Sequence, residues 1–275
     1  MNDKELLNSL ANDLRDAPAR CVIYLEGKTD VDIFFALLGH TRPSGDLHQG
    51  VLIRGLQEGA GSGSIAVQRR VELGATFGAS GKLLGFLDGD GAALNQLSGQ
   101  FDPTFAGPLF SWKAYCIENL LPKAGWPPTW GTVPNWATEI RNYSPYVGLN
   151  RVHRNFAQIL ARLNIARFTN PIAGQALLRE AEVSRELQQG KDEIMQRDVQ
   201  QEFRHEVTSF KAALRQGLDH AHCLFNGKWL LSHLAVTRTR ESAEDCRSAW
   251  VAHAAAVGGL NEVKDWWTRI IGKAP

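Results

Sequence analysis

The chain has 275 residues, 44% hydrophobic and 21% charged, with 30 basic and 29 acidic side chains and a formal net charge of +1. These are ordinary globular values that leave room for one large domain or two small ones. A charge so near neutral means that any surface for nucleic acid must be local. Cys21, Cys116, Cys223 and Cys246 are scattered without CxxC spacing, which argues against a zinc ribbon or a disulfide framework. Residues 1–5 are charged and lack the apolar core of a leader, and no run approaches the length of a membrane span. The expected location is the cytoplasm.

Taken in chain order, Leu6, Leu7, Leu10 and Leu14 recur at helical spacing and predict an amphipathic helix over 3–16. The apolar run Cys21-Val22-Ile23-Tyr24-Leu25 predicts a strand over 20–25. Thr29 can N-cap a helix reaching about Gly39, with Asp32 at the third position of a box-like arrangement. Val51-Leu52-Ile53 reads as a short strand after a Pro/Gly loop, and a Gly-rich stretch over 55–64 leads into a helix of about 64–77. Residues 82–87 and 109–115 read as further strands. Strand alternating with helix predicts an α/β fold with a parallel sheet flanked by helices.

Composition changes after Pro122. Pro122, Pro127, Pro128, Pro134 and Pro145 stand among Trp126, Trp130 and Trp136, an ordered connector rather than a floppy linker. The reading from Leu149 to about Gly217 is nearly all helix, interrupted at Thr169-Asn170-Pro171. The expected organisation is a core in 1–122, a helical insertion in 123–217, and 218–275 completing the core with helices near 242–256 and 260–271. The three tryptophans are expected to pack the insertion onto the core.

Glu26 follows the first strand, and Asp88-Gly89-Asp90 follows the strand at 82–87. If those strands are neighbours, Glu26, Asp88 and Asp90 meet at their carboxyl ends, where open α/β sheets place their sites. Converging carboxylates repel unless a cation neutralises them, and all-oxygen ligands suit Mg²⁺ or Mn²⁺. The expected chemistry is on phosphates, with Glu26 as metal ligand or general base. Gly89 and Gly91 leave room for a phosphate to approach.

These residues resemble the Toprim domain of topoisomerases, primases and OLD-type nucleases: Glu26-Gly27 after one strand, Asp88-Gly89-Asp90 after a later one. Asp30, in Glu26-Gly27-Lys28-Thr29-Asp30, resembles the OLD branch in particular. Ala114-Tyr115-Cys116-Ile117-Glu118-Asn119-Leu120-Leu121 is similar to that branch's later acidic motif, and Asn226-Gly227-Lys228-Trp229-Leu230-Leu231 to its Gly-Lys motif. The resemblance implies a Toprim, Rossmann-like sheet with Glu26, Asp30, Asp88, Asp90 and Glu118 as metal ligands. It also implies a catalytic set of Glu26, Asp88, Asp90 and Lys228, the lysine neutralising charge on phosphate oxygens. The family often carries a hydroxyl two positions before the later acid; Cys116 stands there.

A topoisomerase needs a tyrosine nucleophile on a separate cleavage domain, and a primase a zinc module; neither is evident. A stand-alone Mg²⁺-dependent endonuclease is the expectation. Its shape resembles the separately encoded Toprim effector of two-gene anti-phage systems of the PARIS kind. That implies a separately encoded ABC-type ATPase sensor as partner, nucleic acid as substrate (host tRNA ahead of DNA), a homo-oligomeric active form and no membrane. The alternatives are an inactive or weakly active Toprim-like subunit that binds nucleic acid or a partner, and a DNA nuclease of OLD type.

Other features carry less. Residues 58–64 are Gly-rich but lack the Gly-Lys-Ser/Thr ending of a nucleotide loop, and read as a loop beside the site. His220, His222 and Cys223 lack partners at zinc spacing. Arg151, Arg154, Arg162 and Arg167 form a basic stretch, either a solvated face or a track for phosphates.

Overall fold

The computed structural model describes residues 3–16, 21–56, 63–76, 82–89, 108–112, 114–162, 185, 188–189, 192, 194–222 and 224–273. The sheet-forming elements run α1 (Asp3–Asp16), β1 (Cys21–Leu25), α2 (Lys28–Leu37), β2 (Leu47–His48), β3 (Val51–Gly55), α3 (Gly63–Thr76), β4 (Leu83–Leu87) and β5 (Leu109–Ser111). The helices that follow are α4 (Leu121–Ala124), α5 (Trp136–Glu139), α6 (Ser144–Arg162), α7 (Val199–Gln216), α8 (Leu218–Ala221), α9 (Gly227–Leu234), α10 (Ala243–Ala256) and α11 (Asn261–Lys273).

The fold is α/β: a five-stranded sheet ordered β2-β3-β1-β4-β5, flanked by helices. β1 pairs parallel to both β3 and β4, β4 pairs parallel to β5, and β2 is antiparallel at the edge. Every residue of β1 is buried, as expected of a central parallel strand covered on both faces. From β1 the chain moves to β3 on one side, then crosses through α3 to β4 on the other. The winding therefore reverses between β1 and β4, and the crevice beyond their carboxyl ends is the natural place for a site.

One face packs Leu6, Leu10, Val67 and Val71 of α1 and α3 against Val22, Tyr24, Leu52 and Leu83 of the strands. The Tyr24 hydroxyl donates to Asp13 at 2.8 Å, and the Arg70 guanidinium lies 5.2 Å from the centre of its ring. The other face is aromatic. The Phe86 ring lies 4.3 Å from Trp112, 4.6 Å from Trp266, 5.3 Å from Phe110 and 5.7 Å from Phe34. Both offset-stacked and edge-on pairs occur there, the arrangements the ring quadrupoles favour.

Two details differ from the sequence reading, each for a local reason. β5 stops at Ser111 instead of continuing to residue 115. Beyond Trp112 the backbone leaves the ladder: Ala114 O accepts from Gly89 N at 3.1 Å, and Tyr115 N donates to His222 O at 3.0 Å. The loop before β3 holds the two-residue strand β2, too short to show periodicity. Gln49 (φ 50°) and Gly50 (φ 80°) form its tight two-residue turn, the backbone that right-twisted hairpins prefer. Trp267 Nε1 donates to Gln49 Oε1 at 2.9 Å and helps hold that turn.

The chain divides into two compact units, one of Met1–Pro134 with His222–Pro275 and one of Asn135–Ala221. The first contains the sheet. It also contains the Trp/Pro-rich connector as far as Pro134, where Trp126 and Trp130 sit 5.5 and 5.3 Å from Trp250 of α10. Trp250 Nε1 donates to Gly125 O at 2.7 Å. The second unit is helical where described, with Ile140, Val147, Val152, Phe210 and Leu214 buried. Among the described residues no helix is long and apolar enough to cross a membrane.

The aromatic face sets a first expectation. Phe86→Ala should destabilise the chain by roughly 3–5 kcal/mol, because the surrounding rings cannot close the cavity. Ile65→Ala, at a site 61% exposed, should stay within about 0.5 kcal/mol of wild type. Urea unfolding of both variants checks the contrast.

Candidate active site: a carboxylate cavity between two parallel strands

β1 and β4 are neighbours, so Glu26, one residue past β1, and Asp88, one residue past β4, come together. The Asp88 backbone N–H donates to Glu26 Oε1 at 2.8 Å. A cavity of about 410 Å³ opens there, lined among others by Glu26, Lys28, Asp30, Gly63, Asp88 and Lys228. Gly63 begins α3 against Glu26; a β-carbon there would lie 2.8 Å from Glu26 Cβ and 3.0 Å from Oε2. Only glycine lets the positive end of that helix come so close to the carboxylate.

Asp30 is 7% exposed. The structure places the N-cap of α2 at Gly27, and the Asp30 carboxylate accepts the Gly27 N–H at 2.8 Å. Thr29 and Asp32 therefore do not form the box expected from sequence; Asp32 pairs with Arg42 at 3.2 Å instead. Burial, then the negative charge of Glu118, raises the Asp30 pKa to about 6, against the opposing pull of the Gly27 N–H, Lys228 and Thr29.

Glu118 is 3% exposed on the 3-10 turn Ile117–Leu120. Asn119 beside it ties this turn to the start of α9. Its Oδ1 accepts from Cys116 N at 3.1 Å and Gly227 N at 3.0 Å, and its Nδ2 donates to Phe225 O at 3.1 Å. A β-carbon at Gly227 would sit 2.8 Å from both Asn119 N and Oδ1, so the close approach needs glycine. Asn226 caps α9 by accepting the Lys228 N–H at 2.9 Å. This knot delivers Lys228, at the second position of a helix rather than in a turn, to the carboxylates. Partial burial works to lower the Lys228 pKa, but the acids, Glu118 first and then Asp30 and Asp88, outweigh it and the pKa is raised.

Cys116, where the family it resembles carries a hydroxyl, is fully buried. Burial, with Glu118 and Asp88 nearby, pushes its thiol well above the ordinary range. It stays a protonated packing and hydrogen-bonding group. Of the residues expected from sequence, Glu26, Asp30, Asp88, Glu118 and Lys228 are thus in one neighbourhood. Asp90 lies outside the described residues, as do 57–62, Arg167 and Cys223, and the side chains of Arg154 and Arg162. Arg151 pairs with Glu206 at 3.6 Å, so its charge is not wholly available to a phosphate track. Sequence reasoning missed Lys28, Asn119 and Asn226. All three stand inside the quoted motifs, where they were given no role of their own.

The donor chemistry fits a hard divalent cation: carboxylates from four positions, one held partly protonated by burial and a like charge. Among the described residues no three or more His, Cys, Asp or Glu side chains are already gathered as a coordination group. Glu26 is engaged by the Asp88 N–H and Asp30 by the Gly27 N–H. No protein-family model, no curated protein and no solved structure matches the chain.

Two outcomes follow. The folded Asp30 pKa lies above its ordinary value of 3.8, so the folded chain holds this proton longer than the unfolded one. Its contribution to stability is then present at low pH and is lost as pH rises from about 4 to about 6. In metal-free protein, Asp30→Asn should remove that fall and be the more stable chain at pH 7, with its Oδ1 still accepting the Gly27 N–H. Asn119→Ala should cost roughly 2–4 kcal/mol by orphaning the buried Cys116 N–H and Phe225 carbonyl and leaving the Gly227 N–H only the weak acceptor Cys116 Sγ. Thermal unfolding across pH reads both.

Proposed function

We propose that the chain is a divalent-metal-dependent nuclease of the Toprim kind, hydrolysing phosphodiester bonds in the cavity beyond β1 and β4. One observation carries the reading: Glu26 and Asp88 meet at the sheet's switch point, 2.8 Å from carboxylate to backbone N–H, with Asp30, Glu118 and Lys228 around them. Glu26, Asp30, Asp88 and Glu118 are the residues that would hold Mg²⁺ or Mn²⁺, with Asp90 from the same motif. When bound, the cation supplies charge neutralisation on the phosphate and a more acidic water.

The chain's own groups do the rest. Lys228 offsets negative charge growing on the phosphate oxygens. The N-termini of α2, α3 and α9 begin at the cavity wall, at Lys28, Gly63 and beside Lys228, and their positive dipole ends favour an anion there. Glu26 is placed to accept a proton from attacking water.

The biological setting rests on the resemblance of the Glu26-to-Asp30 and Ile117-to-Leu120 motifs. In it the protein is the toxic effector of an ATPase-regulated anti-phage system, acting on host tRNA, released from its ATPase sensor and active as a homo-oligomer in the cytoplasm. A second reading, a partner- or nucleic-acid-binding subunit without hydrolysis, is favoured by the engagement of Glu26 and Asp30 with backbone N–H groups.

Purified protein should cleave tRNA, or failing that DNA, only with Mg²⁺ or Mn²⁺. Glu26→Gln and Asp88→Asn should each lower the rate by at least about 10²-fold with unchanged circular dichroism. Wild-type cleavage by Glu26→Gln in a nuclease-free preparation would refute the assignment. Metal binding without cleavage of either nucleic acid would favour the second reading.

A further inference from the structure

A second cavity, of about 560 Å³, lies between α10 and the residues that follow α2. Its volume is within the range that holds small ligands. Glu244, Arg247, Val251, Ala252 and Ala255 line it from α10. Their three- and four-residue spacing makes one helix face about 18 Å long. The small side chains beyond Arg247 leave the space open. The chain after α10 is tied to the end of α2 by Leu260 N to Leu37 O at 2.7 Å, and Gly259 N to Ala254 O at 2.8 Å closes α10 itself, so both walls are held by backbone bonds and the cavity is preformed.

Its polar chemistry is asymmetric. Arg42, on the wall opposite, is fully engaged: it donates to Asp46 at 2.6 and 2.9 Å and to Asp32 at 3.2 Å. Arg247 is not. It is only 9% exposed, its Nη1 finds no acceptor among the described residues, and its Nη2 meets the Glu244 carboxylate. Glu244 is 70% exposed, and an exposed carboxylate holds its partner weakly. A buried guanidinium with an unsatisfied donor is costly unless an acceptor arrives. An oxyanion that displaces Glu244 can take Nη1 and Nη2 together, the fork geometry in which arginine binds carboxylate and phosphate best.

We propose that this cavity binds a compact organic anion, its oxyanion head on Arg247 and its apolar body along Val251, Ala252 and Ala255. The site is separate from the carboxylate cavity and does not depend on the nuclease reading.

The test uses the full chain in EDTA, with phenyl phosphate and benzoate as probes and inorganic phosphate and phenol as head-only and body-only controls. Either probe at millimolar concentration should raise Tm by about 2 °C or more, well beyond either control. The rise should vanish in Ala252→Phe, which fills the cavity from an exposed position and spares the core, and in Arg247→Met. It should persist in Lys228→Ala, which lies at the other cavity. No rise in wild type overturns the proposal. So does a rise that survives Ala252→Phe, one matched by inorganic phosphate alone, or one abolished by Lys228→Ala.

Discussion

The contact between the Asp88 N–H and the Glu26 carboxylate joins the ends of two parallel strands, and the arrangement around the cavity depends on it. It exists because the chain places β3 on one side of β1 and β4 on the other, so that β1 and β4 are parallel neighbours at the point where the winding reverses. A carboxylate there has other acids as neighbours and needs local support. The Asp88 backbone supplies a donor to one oxygen, and α3 brings its positive end against the other through Gly63. The sheet topology thus produces both the crevice and part of the electrostatic support for a charge inside it.

That support is incomplete. Asp30 is driven toward its protonated form by burial and by Glu118, which means the negative charge in this region exceeds what the local backbone can balance. Lys228 is the principal offset from a side chain, and it reaches the acids only because Asn119 locks the 3-10 turn to the start of α9. The hydrogen bonds of Asn119 are therefore structural and electrostatic at once: they close a buried loop, and they set the position of a cation. A divalent ion would complete the balance, and its pull would lower the Asp30 pKa.

Much of the sheet was legible in the sequence because its strands are short, continuous apolar runs ending in Gly or acid. Cys21 to Leu25 and Leu83 to Leu87 announce buried parallel strands, and their adjacency brings together the acids that follow them. What escaped the sequence was local. The capping acid of α2 is Asp30, since the cap is counted from Gly27, and a glycine N-cap offers no side chain to recognise. β2 is two residues long and owes its existence to a left-handed turn at Gln49 and Gly50. Asn119 looked like one member of a motif, whereas its partners at 225 and 227 are remote in sequence and declare themselves only when the chain has folded. Arg151 read as part of a basic track, and its partner Glu206 lies on another helix.

The placement of Lys228 also has a consequence for synthesis. Glu26, Asp30, Asp88 and Glu118 emerge from the ribosome first, followed by the whole of the unit spanning Asn135–Ala221, and only then by the lysine. At about 5–20 residues per second, that interval is on the order of ten seconds. For that time the nascent sheet carries its carboxylates without the cation and without the Asn119–Gly227 lock, so the cavity cannot take its final form. Any chain interrupted before residue 228 keeps the acids and lacks their counter-charge. The order of the residues along the polypeptide thus acts as a timer, withholding the finished cavity until residue 228 and the start of α9 have been made.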